Sequence, residues 1–327
     1  MKTLYTGKKF NCYKILSEHY KSKIKHIGYS EDSLVYYVPD KNIIVKCFRN
    51  ESMTCEHIVN TCLYKIKDND IVGLIKPINK YKFDFISEYT YDCEDEYFVF
   101  EYPYYKYNLE SYFTEKNSMS ISTKLNIINQ IVSGINQLHS LGFYHGDLKP
   151  KNICISEDGE TVKIIDFGLS DSIENDNAEL YWKNTIYSAS PLQLARHIQE
   201  YDDYKEQYFT EYITKIKENY NKEPIVESIC KCESKLCKTR QVYKESTVQN
   251  DWFGVGLLIY YILTNGQYFF MKKQIDNKNT EHMLKEIFKN ALVFLKNPVE
   301  YCKNKNTQTL IKHNELYEKY LLNYLQI

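Results

Sequence analysis

The chain carries no excess of charge: 42 Lys and Arg stand against 43 Asp and Glu. That balance excludes a global field holding it on nucleic acid or anionic lipid, and leaves only local clusters for such partners. Long apolar runs are missing too. The most apolar stretch, FGVGLLIYYIL, is too short to span a bilayer and reads as a buried helix, so no membrane span is expected. The opening residues MKTLYTGKKFNCYKILSEHY contain no apolar block of the kind a secretory signal has. An intracellular, cytoplasmic protein is expected, with nuclear, virion or host-cell delivery left open. Ten cysteines are scattered without a regular framework, which reads as reduced and mostly buried thiols. Glycine (11) and proline (7) are few, and there is no internal repeat or homopolymer tract. The accompanying richness in Tyr, Asn, Lys and Ile is a compositional bias that says little about chemistry.

What remains is an ordinary globular composition, 43% hydrophobic and 26% charged, over a length able to bury one large core or two modest lobes. Between Ile24 and Phe48 the apolar segments KIKHIGY, SLVYYV and IIVKCF are short and rich in β-branched or aromatic residues. With VPDKN as a turn, they predict consecutive antiparallel strands. A helix follows in ESMTCEHIVNTCLYKI, where Ile58, Cys62 and Ile66 share one face at four-residue spacing. DIVGLIKP and EYFVFEYP read as two more strands, separated by FDFISEYTYDCEDE.

After YPYYK the period changes. Leu125, Ile128, Ile131, Ile135 and Leu138 recur at helical steps and predict a long packed helix. NICIS and TVKII form a short hairpin around EDGE. DWFGVGLLIYYILTNG is a second buried helix, with amphipathic helices in EHMLKEIFKNALVFL and IKHNELYEKYLLNYL. The expected organisation is a small antiparallel lobe over residues 1–100, a hinge at 101–106 and a mainly helical lobe over 107–327. The polar stretch around 192–249 reads as an elaboration of that second lobe, helical in YKEQYFTEYITKIKENY and without clear period in CKCESKLCKTRQVYKEST. A protein partner for that insertion is conceivable.

The densest chemistry lies in FYHGDLKPKNICISEDGETVKIIDFGLS, Phe143 to Ser170. HGDLKPKN followed by IDFG at this separation resembles the eukaryotic-type protein kinase superfamily, of serine/threonine type, from about Ile24 to Gly266. The resemblance implies an α+β, two-lobed kinase-like fold and transfer of the γ-phosphoryl group of ATP, with Mg²⁺ or Mn²⁺, to a protein hydroxyl. It makes Asp147 the residue that orients the substrate hydroxyl and accepts its proton. Lys149 would neutralise charge on the transferred group, and Asn152 and Asp166 would hold Mg²⁺. His145 and Gly168 complete these two motifs as structural residues. Lys46 would contact the nucleotide phosphates, paired with Glu56 in preference to Glu51. Asp251, at the start of the buried helix, would tie down the catalytic-loop backbone, with Gly256 as the helix glycine. The glycine-rich loop aligns as Gly28, Ser30, Ser33 and Val35, and only its first glycine remains. Phe100 would stand as gatekeeper, and Glu101, Tyr102 and Pro103 would line the adenine with backbone groups.

Two further departures qualify the resemblance. Leu192 stands where a glutamate is expected, so a different contact is predicted there and substrate docking is the step most affected. Ser170, Ser172, Thr185 and Tyr187 bear hydroxyls, none assigned as a regulatory site. Gly146 replaces the arginine that meets a phosphorylated activation segment, which predicts basal activity independent of phosphate between Ser170 and Tyr187. Cys230, Cys232 and Cys237 form C-x-C-x4-C, an unusual zinc spacing with three ligands; ordinary thiols are the default and His197 is a candidate fourth ligand. Lys231, Lys235, Lys238 and Arg240 read as a solvated face, not a nucleic-acid site. Two rival functions stay open: a weakly active pseudokinase scaffold, and a kinase of a small-molecule alcohol.

Overall fold

A computed structural model describes residues 12–29, 33–49, 55–86, 94–174, 185–191, 193–194, 211–212, 214–215, 218, 225–227, 240–242, 247–271, 280–305 and 312–325. The fold is α+β and two-lobed. Helix α1 (12–20) precedes the small-lobe strands β1 (Lys25–Tyr29), β2 (Ser33–Val38) and β3 (Ile43–Arg49). Helix α2 (Cys55–Lys65) follows, then β4 (Asn79–Ile86) and β5 (Glu94–Pro103). All pairings are antiparallel, in the order β1-β2-β3-β5-β4. The turn between β2 and β3 closes through Asn42, left-handed at φ 53°, whose N–H donates to Pro39 O at 3.1 Å.

Strand period assigns the two faces of this sheet. In β3, Ile43, Val45 and Cys47 join α1 in a core on the outer face. Their neighbours therefore point the other way, which turns Lys46 and Phe48 toward α2. Helix α1 was not foreseen, although Cys12, Leu16 and Tyr20 are buried at four-residue steps.

Two small-lobe expectations are corrected. DIVGLIKP is not a strand. Its backbone bonds leave the sheet: Ile75 N–H donates to Ile164 O at 2.9 Å, and Ile164 N–H to Gly73 O at 2.7 Å. The strand beyond β5, at that edge of the sheet, is β4, further along. On α2 the buried side is Glu56, His57, Val59, Asn60 and Leu63, whereas Ile58 is 40% exposed and Cys62 and Ile66 only partly covered. Apolar spacing pointed to the wrong face because the inward one carries polar groups.

The second lobe begins with β6 (Tyr107–Asn108), α3 (Leu109–Lys116) and α4 (Ile121–Ser140). Ser120 caps α4 by accepting the Thr123 N–H at 3.1 Å. Its buried face is Ile127, Ile128, Ile131, Ile135 and Leu138, so Ile127 replaces the expected Leu125. Lys124 is buried as well and donates to Leu263 O at 3.0 Å. Then come β7 (Phe143–Tyr144), the predicted hairpin β8 (Ile153–Ile155) with β9 (Val162–Ile164), and β10 (Asp171–Ser172), which pairs with β7. β11 (Ile225–Glu227) pairs with β12 (Arg240–Val242) inside the expected insertion. Helices α5 (Thr247–Leu263), α6 (Thr280–Lys296), α7 (Pro298–Lys305) and α8 (Glu315–Asn323) complete the lobe. Gly256 lets α5 approach α8: a Cβ there would stand 2.7 Å from Leu321 Cδ2.

The closest crossing lies between Gly73 and Gly134 of α4. A Cβ on Gly73 would meet Gln130 O at 2.1 Å, and one on Gly134 would meet Gly73 C at 3.1 Å. Among the described residues, no helix is long and apolar enough to cross a membrane. Cys230, Cys232, Cys237, Lys231, Lys235 and Lys238 lie outside the described residues, as does His197.

Candidate active site

The loop after β7 is fixed from beneath. Asp251, 2% exposed in the first part of α5, accepts the backbone N–H of His145 at 2.7 Å and of Gly146 at 2.9 Å. His139 Nε2 lies 2.9 Å from the same carboxylate, so three donors satisfy one buried anion. His145 Nδ1 accepts the Asp147 N–H at 3.2 Å, which leaves Nε2–H to donate to Ile165 O at 3.1 Å. Its ring packs 5.6 Å from Phe167, linking this loop to the DFG segment. Gly146 sits at φ +81°, where an added Cβ would meet Leu169 O at 2.5 Å. The backbone itself therefore favours glycine at this position.

Above this base, Asp147 is held from several directions. Lys149 Nζ donates to its Oδ2 at 2.5 Å, and Thr185 Oγ1 donates to its Oδ1 at 3.0 Å. Lys149 also donates to Thr185 Oγ1 at 2.8 Å, which closes a three-membered ring of contacts. Asn152 Nδ2 donates to Asp147 O at 2.9 Å and to Oδ2 at 3.2 Å. With its amide nitrogen committed, Asn152 has its amide oxygen left as a further acceptor.

The small lobe supplies the facing half. Lys46 Nζ makes an ion pair with Glu56 Oε1 and a 3.4 Å contact with Asp166 Oδ1. Burial disfavours charge on Lys46, but Glu56 and Asp166 outweigh it and hold its pKa above the ordinary value. Lys46 in turn keeps the Asp166 carboxyl below the ordinary range, against burial, with His145 and Lys149 adding to the effect. Asp166 is left-handed at φ 68° and its side chain is 47% exposed, so a carboxylate oxygen faces the cleft. A Cβ on Gly168 would lie 3.4 Å from Asp166 Oδ1 and 3.6 Å from Glu56 Oε2, ordinary contacts that place this residue beside both carboxylates without requiring glycine. Glu51 lies outside the described residues.

The remaining sequence candidates are spread over the sheet. Gly28 pairs with Val35 across β1 and β2, after a register shift at His26. Ser33 opens β2 opposite Phe48 and is buried. Ser30 lies outside the described residues. Phe100 is fully buried, edge-on to Phe48 at 5.9 Å, and Tyr102 is buried on the same face. Glu101 points to the opposite face, and its carbonyl accepts the Ile78 N–H at 2.8 Å. Pro103, the last residue of β5, has no N–H, so of the segment expected to line adenine it offers only a carbonyl.

Thr185 was missed as a site residue because a hydroxyl on a loop is common; its placement five residues before Ser190-Pro191 was the available signal. Leu192 lies outside the described residues, but its neighbours show how the segment is anchored. Ser190 Oγ donates to Asn250 Oδ1 at 2.6 Å, Gln193 Oε1 accepts the Ser190 N–H at 2.8 Å, and Tyr212 OH donates to Pro191 O at 2.9 Å. Asn250 adjoins Asp251, so one turn of α5 holds both loops. Ser170 Oγ donates to His145 O at 3.2 Å, and Tyr187 packs 4.9 Å from Tyr268.

Comparison with known proteins bears on the family. The chain is 38% identical over 73 residues to a protein named Probable cell division protein kinase in Encephalitozoon cuniculi, covering 22% of this chain and 26% of that one. It is 33% identical over 127 residues to serine/threonine-protein kinase ICK of Rattus norvegicus, covering 38% and 20%. These matches thus span about a quarter or less of each relative's length. A solved structure of the yeast RNA Pol II CTD kinase CTDK-1 complex covers 83% of this chain and 67% of its own, at 16% identity and a TM-score of 0.45. The sequence profile described as Protein kinase domain matches residues 23–208, more than half of the 327 residues. The chain belongs to the protein kinase domain family.

Proposed function

We propose that this chain is a serine/threonine protein kinase that transfers the γ-phosphoryl group of Mg-ATP to a protein hydroxyl. The observation that carries this reading is the ring of Asp147, Lys149 and Thr185. A carboxylate oriented by an ammonium and a hydroxyl can position an incoming alcohol and take its proton. The Lys149 charge lies beside the same point, where it can stabilise negative charge developing on the transferred group. Lys46, held by Glu56, aligns the nucleotide phosphates from the other side of the cleft.

The oxygen donors suit a hard cation. Asp166 presents a partly exposed carboxylate kept ionised by Lys46, and Asn152 presents an amide oxygen. Among the described residues, no three His, Cys, Asp or Glu side chains cluster as a self-sufficient metal site. Two protein oxygens completed by phosphate oxygens and water match how Mg²⁺ is usually held beside nucleotides. When bound, Mg²⁺ would neutralise phosphate charge. The chain's own share is to place these two oxygens next to Asp147.

Phosphotransfer from labelled ATP to a serine- and threonine-containing peptide library tests the reading, with small alcohols offered in parallel. Asp147→Asn is expected to lower kcat by about 10²–10⁴-fold, the range for loss of a positioned base. Full Mg-ATP-dependent transfer by Asp166→Asn would remove the metal assignment. Transfer confined to small alcohols would replace the protein substrate.

A further inference from the structure

Helix α1 lies ahead of residues 23–208, the part of the chain that matches the family. It buries Cys12, Leu16 and Tyr20 against the outer face of the sheet, beside Val45 and Val99. Strand period puts Glu101 on that same face, two residues beyond Val99. There Tyr20, 5% exposed, donates its hydroxyl to Glu101 Oε1 at 2.6 Å, with the Tyr81 hydroxyl bonded to it as well. Glu101 is thus held at its side chain by Tyr20 of α1, with the Tyr81 hydroxyl as a second partner, and at its carbonyl by the Ile78 N–H. The face opposite carries Phe100 and Tyr102, next to the cleft.

We infer that Tyr20 is a positioning residue for the nucleotide base: delivered by α1, its hydroxyl fixes Glu101 and so the backbone of residues 101–103 that meets the purine. This rests on the kinase reading above. The alignment of that backbone weighs more here than in a chain with a free N–H at position 103, because Pro103 supplies no donor. Tyr20 is not a catalytic residue. Lys46 projects from the other side of the sheet, so the hydroxyl has no path to the phosphates except through the strand.

Tyr20→Phe removes the hydroxyl and keeps the ring in the core, so the fold should survive. The test measures Mg-ATP and Mg-tripolyphosphate binding by calorimetry on the full chain, with steady-state kinetics and thermal unfolding alongside. The variant should raise Kd and KM for ATP about three- to tenfold, the span of one hydrogen bond. It should leave kcat and tripolyphosphate binding at wild-type values. Unchanged ATP affinity would overturn the inference even if phosphotransfer persists. So would equal weakening of ATP and tripolyphosphate, which reports a general loosening of the lobe. A wild-type chain that binds neither ligand would overturn the kinase reading and this inference with it.

Discussion

The catalytic loop and helix α2 face each other across the cleft and are held in opposite ways. In the loop, the His145 and Gly146 N–H groups are held by Asp251, and the Asp147 carboxylate by Lys149, Thr185 and Asn152. On α2 the inward face carries Glu56 with its lysine, but also His57 Nε2 and both amide atoms of Asn60, which are buried with no hydrogen-bond partner. Burying an unpaired amide opposes folding, so α2 sits against the core less favourably than an apolar helix would. The large-lobe half has its own unpaired atoms, His139 Nδ1 and Asn250 Nδ2, but they lie behind the loop, whereas on α2 they share the inward face with Glu56.

Breaking the large-lobe side should have the larger effects. Asp251→Asn keeps one acceptor but turns an amide donor toward an N–H, and is expected to lose about 2–3 kcal/mol of stability, the worth of a charged hydrogen bond. Urea unfolding measures it, and a wild-type midpoint would show the loop is anchored some other way. Gly146→Ala places a Cβ against Leu169 O at a left-handed φ, with an expected loss of about 1–3 kcal/mol. Calorimetry of the variant gives the number, and no change would mean the Leu169 peptide yields freely.

The ionic link between the halves has a pH signature. Asp166 is held below the ordinary carboxyl pKa, chiefly by Lys46, so its stabilisation is present at neutral pH and is lost as pH falls through the lowered value. Lys46 is held above the ordinary amine pKa, so its share is lost only as pH rises through that raised value. The stability gap between wild type and Lys46→Met should therefore narrow at both the acid and the strongly alkaline ends. A gap independent of pH would remove the electrostatic account. The smallest effect sharpens the comparison from the α2 side: Asn60→Leu should raise stability by about 1–2 kcal/mol, because it removes an unpaired amide of similar size. A loss in thermal unfolding would show that Asn60 has a partner in solution.

The parts legible in the sequence were those whose chemistry is contiguous. Asp147, Lys149 and Asn152 lie within six residues, and the hairpin that separates them from Asp166 announces itself by two apolar runs around Gly159. The long buried helix with Asp251 was equally plain. Helix α2 was misread because apolar periodicity marks the buried face only when the buried face is apolar, and here Glu56 and Asn60 occupy it. DIVGLIKP looked like a strand because it is buried, yet its backbone serves the second lobe. Thr185 was illegible as a partner of Asp147, since the two are 38 positions apart and hydroxyls are frequent.

The same misread segment has a mechanical consequence. Gly73 accepts the N–H of Ile164, and the N–H of Ile75 bonds back to that residue, while Gly73 rests on Gly134 with no side chain between them. Ile164 is two positions from Asp166. The segment leaving the small-lobe helix and the strand leading to Asp166 are therefore hydrogen-bonded to each other and rest together on α4. Whatever displaces that segment is expected to pull on the peptide two residues before Asp166.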